Sequence, residues 1–293
     1  MSANTAKVRI ASVQWRADGA AEPAQFYARL EYFVRAAVDY QSDFVIFPEL
    51  FTLCLLSAEE WIEPRDVAAR AHEHTREFTE FGQGLAREHD INIIAGSHLT
   101  IDEGGTARNT AFVFLRDGST HARDKLHPTP TEAGAWAVEG GYAADIIETD
   151  RGPIGIMICY DSEFPELARH LIDQGAMILF VPYLTDTVHG HLRVRHCCAA
   201  RTIENQCYVA TAGMTGQIVN VPEQYGAFAK SAILTPSDLP FARDGIAAEA
   251  SENVETIIFA DLDLETLDWA RREGSVRNLS DRRLDLYSVV WKG

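Results

Sequence analysis

A chain of 293 residues, 46% of them hydrophobic, can bury one large α/β core or two small ones. Its 26 Lys and Arg against 43 Asp and Glu leave a formal net charge of -17, which repels nucleic acid phosphates and anionic membrane surfaces and sets both aside as partners. No stretch approaches the roughly 20 continuous apolar residues of a membrane span, and "MSANTAKVRIASVQW" has no signal-peptide core, so a soluble, cytoplasmic protein is expected.

Along the chain, Val8 to Trp15 alternates as a strand. Pro23 then opens a segment in which Phe26, Leu30, Phe33, Val34 and Ala37 recur at helical spacing. "DFVIFPEL" is an apolar run of strand length stopped by Pro48. Asp66 to His89 reads as one long charged helix, and "INIIAGSHL" and "TAFVFLR" read as strands. The second half has "DIIET" and "GIMIC" as strands, a helix from about Glu163 to Gln174 and the strand "AMILFVP". A helix from about Gly190 to Asn205 and the strands "CYVATAG", "AKSAILTP" and "ETIIFADL" follow. There is no repeat and no Pro/Ser linker, which favours a single domain. Helices between strands point to parallel sheets, and adjacent strands to hairpins within them.

The five cysteines, Cys54, Cys159, Cys197, Cys198 and Cys207, are odd in number and unevenly spaced, as reduced thiols are in a reducing compartment. His189 and His191 lie near Cys197 and Cys198, but the adjacent cysteines face different ways on a helix, so no metal site is read there. Asn278-Leu-Ser280 matches a glycosylation acceptor that means nothing without secretion.

Three runs end in a reactive side chain: Glu49 after "DFVIFP", Lys125 in "RDKLHPTP" and Cys159 after "GIMI". Alone, each has a plainer reading: a solvated cap, a surface charge and a small core hydrophobe. Together they form a complete set for attack on a carbonyl. The thiol needs a base to take its proton and a fixed positive charge for the oxyanion; a carboxylate can serve as base and then as acid. An ammonium would also lower the thiol pKa. The backbone N–H of Tyr160, at a strand-to-helix turn, is a candidate second oxyanion donor.

"FPEL" at 47–50, "KLHPTP" at 125–130 and "CYDSEFPEL" at 159–167 resemble the three catalytic blocks of the nitrilase superfamily of carbon-nitrogen hydrolases. The likeness runs from "KVRIASVQW" through "ARTIENQCYV". The resemblance implies a four-layer α-β-β-α sandwich, no cofactor, and subunits that pair as a homodimer or larger homo-oligomer. It makes Glu49 the general base, Lys125 the stabiliser of the oxyanion and intermediate, and Cys159 the nucleophile. Glu132, seven residues after Lys125, resembles the second glutamate that orients substrate or lysine; the alternative is an idle loop carboxylate. The tail from about 275 to 293 resembles one that crosses a dimer, though its "LYSVVW" can equally pack on its own subunit.

The superfamily's true nitrilases resemble one another in having Trp-Glu after the cysteine, whereas this chain has Tyr160-Asp161, as amidase-like branches do. A small carboxamide is therefore the expected substrate. Glu163 stands where branches acting on dicarboxylate monoamides commonly carry arginine, which favours a cationic or neutral amide. Trp136, Glu163, Tyr183, Thr185 and Asp186 are the substrate-binding candidates, placed by topology. Arg193, Arg195, Arg201 and Glu204 read as ion-pair or interface residues. The competing readings are a silent sandwich that serves as a binding or scaffold protein, a true nitrilase, and a redox-sensing thiol. The last would need a resolving cysteine close to Cys159 in sequence, and there is none.

Overall fold

The computed structural model describes residues 6–17, 22–218, 220–224 and 226–292, so the first five residues and Gly293 of the expected domain lie outside the description. Among the described residues, two sheets are built from eleven strands. The first contains β1 (Lys7–Arg16), β2 (Phe44–Ile46), β3 (Asn92–Ile101), β4 (Ala107–Phe114), β5 (Thr120–Asp124) and β11 (Thr256–Asp263). Their order is β11-β1-β2-β3-β4-β5, with β1, β2 and β3 parallel and the flanking pairs antiparallel.

The second sheet has the order β6-β7-β8-β9-β10, from β6 (Ile154–Ile156), β7 (Ile178–Tyr183), β8 (Tyr208–Thr215), β9 (Ala232–Leu234) and β10 (Ile246–Glu249). A short parallel pairing of Trp15 with Met214 and Arg16 with Thr215 joins the two.

The order of layers follows from alternation along β2. Phe44 and Ile46 point between the sheets, where Phe44 meets Phe180 of β7 at a ring-centroid distance of 5.3 Å. Val45 and Phe47 point the other way, into a second core with Val13 and Trp15. That core is closed by α1 (Pro23–Asp39), through Phe26, Leu30, Phe33 and Val34, and by α3 (Thr75–Glu88), through Phe78 and Leu85. Burial on both faces is why "FVIF" is an uninterrupted apolar run. On the far side, Leu167 and Leu171 of α5 (Pro165–Asp173) and Val194 of α6 (Val188–Asn205) cover the second sheet. Each fully buried Phe or Leu contributes about 1.5–3 kcal/mol. The architecture is the expected α-β-β-α sandwich.

Some elements depart from the sequence reading. The long helix over 66–89 divides into α2 (Val67–His72) and α3, and the turn at Glu73-His74 puts the Thr75 hydroxyl 2.9 Å from Nε2 of the buried His98. "DIIET" reduces to one bridge, Ile147 to Ile154. The strands β5 and β10 escaped detection because both are sheet edges with mixed, partly exposed side chains and no apolar face to read. The helices α4 (Pro130–Ala135) and α7 (Leu264–Glu273) were also missed. The C-terminal tail docks partly on its own subunit: Arg282 pairs with Asp173 at 2.8 Å and Trp291 stacks on His170 at 4.3 Å. Leu284, Leu286 and Val290 remain exposed.

Candidate active site

Glu49 sits on a bend just beyond β2. Ser97 N donates to the Pro48 carbonyl at 3.3 Å, and Leu50 N donates to Ser97 Oγ at 3.1 Å. This close approach requires Gly96, whose φ is 57° and where a Cβ would stand 1.9 Å from the Pro48 oxygen. Leu50 itself is left-handed at φ 53°. The irregular register of β3 between Ile94 and Ser97 therefore fixes where the Glu49 carboxylate begins.

Lys125 follows the edge strand β5, its backbone N–H on Asn109 O at 2.8 Å. Its ammonium is buried between two carboxylates, donating to Glu49 Oε1 at 2.8 Å and Glu132 Oε2 at 2.5 Å. Glu132 is held by a capping box at the start of α4, in which Thr129 N donates to Glu132 Oε2 at 2.8 Å and Glu132 N donates back to Thr129 Oγ1 at 3.2 Å. The buried Asn109 amide spans the pair, donating to Glu49 Oε1 at 3.0 Å and Glu132 Oε1 at 2.7 Å.

Cys159 opens a 3-10 turn, Cys159–Glu163, after β6, with φ at 48°. A non-glycine residue there costs of order 1–3 kcal/mol and persists only where surrounding bonds enforce it. Here Ser162 Oγ donates to Cys159 O at 2.7 Å, and the Asp161 carboxylate accepts from Ile158 N at 3.1 Å. The same carboxylate accepts from His127 N at 2.9 Å and pairs with His127 Nδ1 at 2.7 Å, which ties the cysteine turn to the lysine loop. Leu184, beyond β7, closes the cluster: its N–H donates to Glu49 Oε2 at 2.8 Å, and its carbonyl accepts from Cys159 Sγ at 3.6 Å.

Burial raises the Glu49 pKa above the ordinary carboxylate value, with Lys125 opposing it. Burial would also raise Glu132, but Lys125 and the N–H donors of Thr129 and Asn109 outweigh it and hold Glu132 low. Burial depresses Lys125, yet Glu49 and Glu132 overcome it and keep the ammonium charged. The thiol behaves differently from the sequence expectation. Burial, and then Glu49, push Cys159 well above its ordinary pKa, and Lys125 does not reverse this. Burial therefore favours the neutral thiol, which faces the Glu49 carboxyl group.

These groups line a cavity of about 500 Å³. Of the substrate-binding candidates, Trp136, Glu163, Thr185 and Asp186 line it, as does Tyr160. Trp136 is fixed by its indole N–H on Pro222 O at 3.3 Å, and Thr185 by its hydroxyl on Phe228 O at 3.0 Å. Tyr183 is a correction: it is 1% exposed and absent from the lining, and its hydroxyl accepts from Lys230 N at 3.0 Å, because the last residue of β7 still packs its ring in the core over Gly213 and beside His191. Arg195 and Arg201 pair with Glu249 and Glu204 at 3.2 and 2.6 Å, as read. Arg193, read as structural, reaches the cavity, 3.4 Å from Glu163. Among the described residues no group of three or more His, Cys, Asp or Glu could hold a metal ion.

Two members of the cluster were missed. Asn109 lies in the polar start of β4, Arg108-Asn109-Thr110, and because that strand is wholly buried its amide needs polar partners. Asp161, in sequence only a neighbour of the cysteine, is the carboxylate that joins the cysteine turn to the lysine loop. Asn109→Asp would put a third carboxylate between Glu49 and Glu132, with a native pKa above its unfolded value. The variant is expected to be tolerated near pH 4 and to lose about 1.4 kcal/mol for each unit of that elevation as pH rises to 7. Urea midpoints across pH measure this, and a pH-independent penalty would contradict it.

The family model for carbon-nitrogen hydrolases matches residues 9–272. "Probable hydrolase YhcX" of Bacillus subtilis is 41% identical over 97% of this chain, and the chain spans 55% of that relative's length. "Omega-amidase NIT3" of Saccharomyces cerevisiae is 28% identical, with 97% of this chain and 96% of the relative covered. The crystal structure of that yeast protein, described as a member of branch 10 of the nitrilase superfamily, superimposes with a TM-score of 0.77 over 94% of this chain and 97% of its own, at 26% identity. A carbon-nitrogen hydrolase from Helicobacter pylori shares the fold, with a TM-score of 0.79 at 22% identity over 96% of this chain and 97% of its own. The chain belongs to the carbon-nitrogen hydrolase family of the nitrilase superfamily.

Proposed function

We propose that the protein hydrolyses a small carboxamide through a thioester on Cys159. The observation that carries this reading is the buried cluster in which Lys125 bridges Glu49 and Glu132 on the wall of the cavity that Cys159 also lines. Glu49 takes the thiol proton as sulfur bonds to the carbonyl carbon, and Lys125 and the Tyr160 N–H receive the negative charge on oxygen. The proton then passes from Glu49 to the leaving nitrogen, the C–N bond breaks and ammonia or an amine departs. Water, deprotonated by Glu49, attacks the thioester, and the thiol recovers a proton as the carboxylic acid leaves. Glu132 and Asn109 hold the lysine and the base in register.

A carboxylate whose pKa burial raises suits this double role, since it is a stronger base than an exposed carboxylate and, once protonated, can return the proton. We also read the exposed Leu284, Leu286 and Val290 as a surface that a second copy covers in a homodimer. Ammonia release from a panel of carboxamides and their matching nitriles tests the reaction. Release from an amide but not its nitrile is expected; release only from nitriles would return the true-nitrilase reading.

A further inference from the structure

We propose that the end of the substrate farther from the cleaved bond carries a positive charge, a primary ammonium on a short alkyl chain. This rests on the amidase reading and names its substrate class. Among the described residues, the carboxylates of Glu49, Glu132, Glu163 and Asp186 line the cavity together with the cations Lys125 and Arg193. The inner two carboxylates share the Lys125 ammonium. On the outer wall, Glu163 and Asp186 stand against Arg193, the one lining cation there among the described residues, so that these three are net negative.

Arg193 does not make the wall an anion site. Its Nε approaches Glu163 at 3.4 Å, and its side chain is 63% exposed, so water screens a guanidinium that already faces a carboxylate. Glu163 is the better-held charge. Its side chain is 18% exposed, and it ends the same 3-10 turn that Cys159 begins. Bonds from Ser162 Oγ to Cys159 O and from Arg201 Nε to Ser162 O, at 2.7 and 3.2 Å, brace that turn. The backbone that bears this carboxylate is thus held at a set offset from the nucleophile, which limits the chain lengths over which the charge can be read. The chain's overall charge of -17 further favours entry of cations and opposes anions.

The test compares kcat/KM for ammonia release from an ω-aminoalkyl carboxamide, its methyl-terminated isostere and its carboxylate-terminated counterpart, with the full chain at low and high salt. The ammonium substrate is expected to exceed the methyl isostere by about tenfold, with the carboxylate lowest and the differences shrinking as salt rises. Glu163→Gln should reduce the ammonium-to-methyl ratio about tenfold, and Asp186→Asn, on the exposed rim, should move it in the same direction. Preference for the carboxylate substrate, or a ratio unmoved in both variants, overturns the proposal. Equal rates on all three overturn it alone and leave the amidase reading standing. No cysteine-dependent ammonia from any of them removes both.

Discussion

Cys159→Ala is expected to lower turnover by on the order of 10^4-fold or more while the protein stays folded. On the proposed mechanism the loss is large because the variant keeps Glu49 and Lys125 but has nothing to form the thioester, leaving only a poorly placed water as nucleophile. The fold is expected to survive for three reasons. The thiol is neutral at rest, so its removal strands no charge in the core. Its bond to Leu184 O, at 3.6 Å from sulfur, is weak. Alanine also inherits the φ of 48° without added bulk. Replacing one buried sulfur should cost about 1 kcal/mol, typical of a single core substitution. Turnover by the variant near the wild-type rate, with an unchanged urea midpoint, would sink the mechanism.

Lys125→Met is expected to act on both catalysis and stability. Removing an oxyanion donor costs about 3 kcal/mol of transition-state stabilisation, roughly a 150-fold fall in kcat. Stability falls too, because Glu49 and Glu132, 2% and 4% exposed, lose the ammonium they share. Breaking a buried ion pair from one side costs about 3–5 kcal/mol. Without the lysine both carboxylates have native pKa values above their unfolded ones. The loss is therefore smallest near pH 4 and grows toward pH 7 as the unfolded chain sheds protons that the native site retains. Adding Glu132→Gln should restore much of the stability and none of the turnover. A variant with altered KM but wild-type kcat would show that Lys125 has been given the wrong role.

Much of the site was legible because its reactive groups sit where strands end, in short runs that stand out against apolar sequence: Glu49 after "VIFP", Cys159 after "GIMI". Lys125 in "RDKLHPTP" completes that set, although the edge strand β5 that precedes it has no apolar pattern, and Glu132 comes only from the resemblance to a family block. What sequence did not show depends on contacts between distant segments. Asn109 and Leu184 bind Glu49 from 60 and 135 residues away. Tyr183 was misplaced because topology locates a strand end to within a residue or two, and side chains alternate with every residue. Likewise the thiol pKa was misread: counting a nearby ammonium gave a lowered value, whereas burial and the facing Glu49 dominate. Arg193 entered the cavity through the pitch of α6, which charge alone does not reveal.

The central claim is a covalent bond from Cys159 to the acyl group. Acid quenching during steady-state turnover of an amide, followed by intact-mass and peptide mass spectrometry, tests it directly. The account predicts a fraction of the protein heavier by the acyl group, with the added mass on the peptide bearing Cys159 and discharged by hydroxylamine. Sustained turnover without that adduct, or an adduct on another side chain, would contradict it.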